Sequence, residues 1–397
     1  VKKLLFLAAT SLIGACSWSQ FDDLSDTTTV RGTEKPDGIK ATEYGVSIAG
    51  ATLPAETSGG KIAILSSGSG NYSTLALDPG GIAQDLGANE TLGAHTIDSV
   101  TAKGTVLFDG VGQVVLVDNS NVGTVVAVSG SPDALSLDQQ IPTPATPDAT
   151  AFANGQLVVG VTSSGATAAN IFSAKGTAVR SCLFTDGTTS GAPAAVAPAA
   201  VAIDSSMLWV YTKAGDLFGY PLTALDTCVV GTPTGPTTAK VSGPAATNNG
   251  HLAIITEGTS KYAILTAYDT AATSIGAIQL VNITTAATPV LAGSVISAPG
   301  VRAAAYDTFD GSGVLVLGYP GRANGSTSGA GAVDLHTVTG GAIAATASDT
   351  LQIPNGDSNH LFGRAVTTTR YNGQPIVVVA ADNVVYSFYQ TSLYAKR

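Results

Sequence analysis

The chain has 397 residues, a net charge of −10 and charged side chains at only 12% of positions, about half the usual share for a globular domain. No basic run occurs, which excludes nucleic acid, whose binding rests on clustered Lys and Arg, and electrostatic docking on anionic lipid. Hydrophobic residues make up 44%, too many for a disordered chain, and the richness in Gly, Ala, Ser, Thr and Val suits strands and turns rather than long helices.

The first segment reads VKKLLFLAATSLIGAC. Lys2 and Lys3 precede an apolar run, Leu4 to Ile13, that is too short to span a hydrocarbon core of roughly 30 Å. A positive start, a short apolar run and small residues in this order mark an export signal over residues 1–15. Ile13-Gly14-Ala15-Cys16 resembles the lipobox of bacterial lipoproteins. That resemblance implies cleavage before Cys16, a diacylglyceryl group on its sulfur, and a protein held on a membrane by lipid alone. Ser17, where inner-membrane retention would want aspartate, implies the outer membrane by the same resemblance. Residues 16–43 then form the lipidated start and a polar tether, SWSQFDDLSDT over 17–27.

From residue 44 to 397 one pattern recurs: a strand of small residues, a turn, a Val/Ile/Leu strand, a Gly-rich turn, then alternating strands. The most apolar strand, expected second in each unit, starts near Ile62, Val106, Leu157, Leu208, Leu252, Val314 and Ile376. Seven units of about 52 residues fit four strands per blade, so the expected fold is all-β, a seven-bladed β-propeller. The strands before them, such as Gly45–Ala49, Ala199–Ile203, Ala303–Ala305 and Ala365-Val366, are small enough for a crowded centre. A row of β-sandwiches has similar spacing, but no linker breaks the chain between residues 45 and 390. The last unit is one strand short after Val384–Tyr389. A propeller must close its edge, so Thr28–Arg31 or Gly38–Thr42 is expected to supply the outer strand.

Three units resemble FG-GAP repeats, the blades of integrin-α-type propellers. The residues are Phe362-Gly363-Arg364-Ala365-Val366 with Ile376–Ala380 and Val384–Tyr386; Tyr44–Ala49; and Leu315–Gly321 with Gly329–Val333. The resemblance implies calcium in an acidic loop before the second strand. In Tyr306–Val314 only Asp310 and Gly311 fall in register, and Arg370–Pro375 has no carboxylate. Calcium needs six to eight oxygens, so these stretches read as hairpin turns, and no cofactor or metal is expected.

His95, His251, His336 and His360 fall in different units, and no nucleophile elbow or phosphate loop is present. Gly325–Gly329 has Thr327 where an elbow needs serine and reads as a flexible loop. No catalytic residue is assigned. Cys182 and Cys228 are the cysteines left after Cys16. Export to an oxidising compartment favours a disulfide between them. The blade register puts both in outer strands of neighbouring blades, about 17 Å apart, where a bond needs Cα atoms within roughly 7 Å. Pairing is expected on balance, and it requires one of the two strand assignments to move. The expected function is a non-catalytic envelope lipoprotein that binds a protein or surface ligand in adhesion or as a scaffold. The alternatives are an accessory subunit of an outer-membrane assembly machine and an extracytoplasmic propeller enzyme.

Overall fold

An alternating strand needs cover on one face, whereas an unbroken apolar strand needs it on both. Runs of the second kind dictate how this chain is layered. The computed structural model describes the strands of the N-terminal third, then residues 147–389 with gaps at 163–167, 176–177, 189–192, 230, 247–248, 269–275, 310, 353–360, 372–373 and 382–383; side chains are described only from Ile141 onward.

The fold is all-β, with seven sheets that follow one another along the chain and are antiparallel except for one short parallel pairing in sheet 3. A short strand, β1 (Thr29–Arg31), precedes them. Sheet 1 has β2 (Ser47–Ala51), β3 (Lys61–Leu65), β4 (Tyr72–Leu77) and β5 (Ala83–Asp85). Sheet 2 has β6 (Thr105–Phe108), β7 (Val114–Asp118), β8 (Val125–Ser131) and β9 (Ala134–Ile141). Sheet 3 has β10 (Ala149–Ala153), β11 (Gln156–Gly160), β12 (Ile171–Lys175) and β13 (Ala178–Phe184). Sheet 4 begins with β14 (Pro198–Ile203), β15 (Met207–Thr212) and β16 (Asp216–Pro221). A one-turn-and-a-half helix, α1 (Leu222–Thr227), then leads to β17 (Pro233–Thr234), which runs parallel to β13 and so extends sheet 3, and to β18 (Val241–Ser242), which completes sheet 4. Sheet 5 has β19 (Asn249–Glu257), β20 (Ser260–Tyr268), β21 (Gly276–Asn282) and β22 (Val290–Ser297). Sheet 6 has β23 (Ala303–Phe309), β24 (Ser312–Tyr319) and β25 (Ala332–Thr339), against which both β26 (Ala342–Ile343) and β27 (Asp349–Leu351) pair. Sheet 7 has β28 (Ala365–Tyr371), β29 (Gln374–Ala380) and β30 (Val384–Tyr389). Its fourth strand comes from the other end of the chain: β1 pairs antiparallel with β30, Val30 opposite Val385. Residues 38–42, the other segment expected to close the last unit, lie outside the described residues.

The first strands touch in order, β2 with β6, β6 with β10, and so on through β14, β19, β23 and β28; β28 in turn touches β2. Between sheets lie apolar layers, and successive residues of a second strand point into different ones, as the period of two requires. On β15, Leu208 and Val210 join Val158 and Phe184 between sheets 3 and 4, while Trp209 and Tyr211 join Ala263 and Leu265 between sheets 4 and 5. On β20, Ile264 meets Leu315 and Leu317 of sheet 6. On β24, Val314 and Val316 meet Val377 and Val379 of sheet 7. Complete burial of such side chains contributes about 1.5–3 kcal/mol each.

Two strand assignments from sequence are corrected. Val106 and Leu252 sit on first strands, β6 and β19, not second strands. In these two units the first strand is itself apolar, Val106-Leu107-Phe108 and Leu252-Ala253-Ile254-Ile255, so apolarity alone picks the wrong member of the hairpin. The second strands are β7 and β20.

Pairing of β1 with β30 gives a prediction. Deleting residues 17–31 will lower the melting temperature by several degrees, whereas deleting 17–26 will leave it unchanged. Equal melting temperatures for the two deletions would show that β1 does not hold the last sheet.

Candidate functional site

In an up-and-down antiparallel sheet, the first strand starts, the second ends and the third starts at the same end. We call this end of each sheet upper and the opposite end lower. Among the described residues, neighbouring sheets match upper end to upper end, as Gly160 meets Pro198, Gly250 meets Tyr211 and Gly318 meets Gly363. At the upper end of sheets 3 and 4, Lys213 Nζ donates to Asp148 Oδ1 at 2.8 Å, and the Thr162 amide donates to the other oxygen at 2.7 Å. On sheet 4, Asp216 accepts from Ser242 Oγ at 2.6 Å and faces Lys240 at 3.5 Å. On sheet 6, Arg322 donates through both terminal nitrogens to Asp334 at 2.7 Å, and Thr350 Oγ1 adds a third bond to that carboxylate at 2.8 Å. The guanidinium lies 3.9 Å from the centre of the Tyr319 ring. Burial, and then the Asp334 charge, push the Tyr319 hydroxyl up to about 12.

The upper-end loops are tied down by backbone. The β24–β25 loop folds on itself through reciprocal Asn324 and Thr327 amide–carbonyl bonds at 3.0 Å. It also accepts the amides of Leu361 and Phe362, which lead into sheet 7, at Gly329 and Ala330. Gly331, at φ +88°, lies so close to the Phe362 backbone that a Cβ there would clash. The stretch Gly325–Gly329, expected to be a flexible loop, is therefore a built one; its glycines at positions 325 and 329 take positive φ so that the turn can close.

Lower-end links also cross between sheets. Lys261 Nζ donates to Asp204 at 2.8 Å. Burial alone would raise the Asp204 carboxyl, but the Lys261 hydrogen bond and charge, with the Ser205 amide, hold it below its ordinary value. Glu257, the last residue of β19, accepts the amides of Gly340 and Gly341 at 2.8 and 3.1 Å. These contacts were not anticipated: the partners in Asp148–Lys213 lie 65 residues apart, and no local spacing signals them.

The sequence-derived candidates fall as follows. Cys16, His95, Asp310, Asn372, Gly373 and His360 lie outside the described residues. Cys182 and Cys228 are joined, with Cα atoms 5.6 Å apart. Cys228 is not in an outer strand; it caps the C-terminus of α1, which packs on β13 and carries the chain back towards sheet 3. The 17 Å separation expected between outer strands does not apply for that reason. His251 and His336 are held apart on β19 and β25. His336 Nδ1 lies 2.8 Å from the Ala344 carbonyl, and burial pushes His251 down to about 4. His251 Nδ1, Thr266 Oγ1, Tyr306 Oη and His336 Nε2 are buried without a hydrogen-bond partner among the described residues. By register all four face the layer between sheets 5 and 6, where His251 is opposite Thr266 and His336 opposite Leu315. Among the described residues no three His, Cys, Asp or Glu side chains are grouped so as to hold a metal ion. What the upper end offers chemically is a fixed surface of internally paired charges and one stacked arginine.

No protein-family model and no curated protein matches this chain. Among solved structures, the computationally designed Ika8 protein aligns with a TM-score of 0.46 at 13% identity, over 89% of this chain and 98% of that one.

Two predictions follow from the buried groups. Replacing Cys182 and Cys228 together by serine opens a link across 46 positions and will cost about 2–4 kcal/mol of stability. In denaturant, their two thiols will appear in the parent protein only after reduction; thiols free beforehand would contradict the bond. For His251, the folded value of about 4 lies below the unfolded value of 6.5, so the unfolded chain takes the proton first. Its contribution to stability is complete above pH 6.5 and is lost as pH falls towards 4. Melting temperatures across that range will fall more steeply for the parent than for His251→Gln, and parallel curves would contradict this.

Proposed function

We propose that this chain is a seven-bladed β-propeller, carried on a bacterial envelope membrane by lipid on Cys16, whose upper-end loops bind a protein or surface ligand without catalysis. The blade reading is supported by the cyclic contact of the seven first strands and by β1 completing sheet 7. The anchor reading is supported by Lys2 and Lys3, the short apolar run and Ile13-Gly14-Ala15-Cys16. The observation that carries the binding reading is the long β24–β25 loop, residues 320–331, fastened at the upper end to the backbone leading into sheet 7, as in Leu361 on Gly329, whereas the cross-sheet links at the lower end join short turns. Loops fixed on a rigid frame lose little entropy when a partner docks, and such loops commonly carry recognition. Adhesion or scaffolding is the form of binding that the FG-GAP-like stretches suggest.

In cells fed labelled palmitate, the full chain will carry label and sediment with membranes, and Cys16→Ala will lose the label and be released or left uncleaved. Label retained by Cys16→Ala would refute the anchor. In the same cells a photo-crosslinking residue at exposed Ser326, on the upper end, will give a discrete protein or glycan adduct, and one at exposed Ser205, on the lower end, will not. Adducts from Ser205 alone, or from neither position, would refute binding at the upper end.

A further inference from the structure

From the outer edges of sheets 5 and 6 we infer that this arc of the rim lies against the membrane surface and sets the orientation of the anchored protein. The inference rests on the lipid anchor proposed at Cys16. β22 is the outermost strand of sheet 5, and among the described residues only β21 pairs with it. Val290, Leu291 and Val295 on it are 57%, 51% and 56% exposed, among the most exposed large apolar side chains described. No charged residue occurs between Asp269 and Arg302, in a chain whose net charge is −10. β22 touches β26, the adjoining outer strand of sheet 6, and the exposed residues that follow there, Ala342, Ala345 and Thr346, are also uncharged. The exposed side chains of the two strands make one uncharged, apolar stretch of rim, and the Glu257 carboxylate beside it is taken up by the Gly340 and Gly341 amides.

The position of the tether selects its occupant. The segment 17–28 joins Cys16 to β1 and reaches at most about 40 Å when fully extended. β1 is the outer strand of sheet 7, next to sheet 6, so a lipid on Cys16 keeps this side of the molecule nearest the bilayer. Leaning towards sheets 6 and 5 brings uncharged exposed side chains to the lipid, so no carboxylate on those two strands has to be desolvated. Three half-exposed side chains are too few to bind a membrane from solution, but the anchor already supplies attachment and they need only bias its tilt. The other exposed apolar pair, Val179 and Val229, has Arg180 and Asp226 close by in sequence and lacks this neutrality. With the rim against lipid, both the upper and lower ends stay open to partners.

The test uses the lipidated full chain in phosphatidylcholine vesicles containing brominated phosphatidylcholine, with a small fluorophore on Ser294→Cys or, on the far rim, on exposed Arg180→Cys. Bromine will quench the fluorophore at position 294 and not at 180. Leu291→Asp with Val295→Asp, both on exposed positions, will keep the melting temperature and vesicle sedimentation but lose the quenching at 294. Equal quenching at both positions, or none at either in protein that still sediments, would overturn the orientation and leave the anchor standing. Failure to sediment would overturn the anchor and the orientation with it. Shielding at 294 without bromine quenching, together with a doubled mass in detergent, would make this rim an interface between two copies and overturn the membrane assignment.

Discussion

A strand that is apolar at every position has to be covered on both sides of its sheet. In this chain the requirement falls on β11, β15, β20, β24 and β29, whose central residues are almost wholly excluded from water. A single pair of packed sheets would satisfy only one face of each. A row of sheets satisfies every member except the two at its ends, where a face of Val, Leu and Ile would meet solvent. Closing the row removes both ends at once, and the proposed propeller is that closure. Some first strands are narrow, as in Ala199-Ala200-Val201 and Ala303-Ala304-Ala305, and Gly250 comes so close to the Tyr211 ring that even a methyl group would be tight.

Most of the layering was legible because a doubly covered strand leaves a plain trace: Leu157-Val158-Val159, Leu208–Tyr211 and Val377–Val379 are runs that no amphipathic helix or one-sided strand would carry. The trace misleads where the first strand is also apolar, as at Val106 and Leu252. Of the two segments expected to complete sheet 7, Thr28–Arg31 and Gly38–Thr42, the first contains β1, whose Val30 lies opposite Val385 of β30. Other features leave no local trace. Pro233-Thr234 joins sheet 3 by a two-residue parallel pairing that no pattern marks. The turn of helix at Leu222–Thr227, which brings Cys228 to Cys182, is too short to show a helical period. The upper-end ion pairs join residues brought together only by the fold, so each member reads in the sequence as an ordinary surface charge.

The division of labour within the molecule follows the distribution of polarity. Layers between sheets carry stability, and the charges at their ends are mostly committed to neighbours: Lys261 to Asp204, Glu257 to the Gly340 and Gly341 amides, Arg322 to Asp334. Among the described residues, the layer between sheets 5 and 6 holds the largest group of unpartnered buried polar atoms, on His251, Thr266, Tyr306 and His336. Acid acts on this layer through His251, which burial holds neutral in the folded protein.

Closure of the seven sheets into the proposed ring can be read from a pair of distances in solution. Spin labels at Asn154 and Ser205, in the turns after β10 and β14, give by pulsed dipolar spectroscopy the spacing of neighbouring sheets. Labels at Thr57 and Asn372, between β2 and β3 and between β28 and β29, measure sheet 1 against sheet 7. Closure predicts similar distances for the two pairs. A Thr57–Asn372 distance several times the other, as an open row of seven sheets would give, would contradict it.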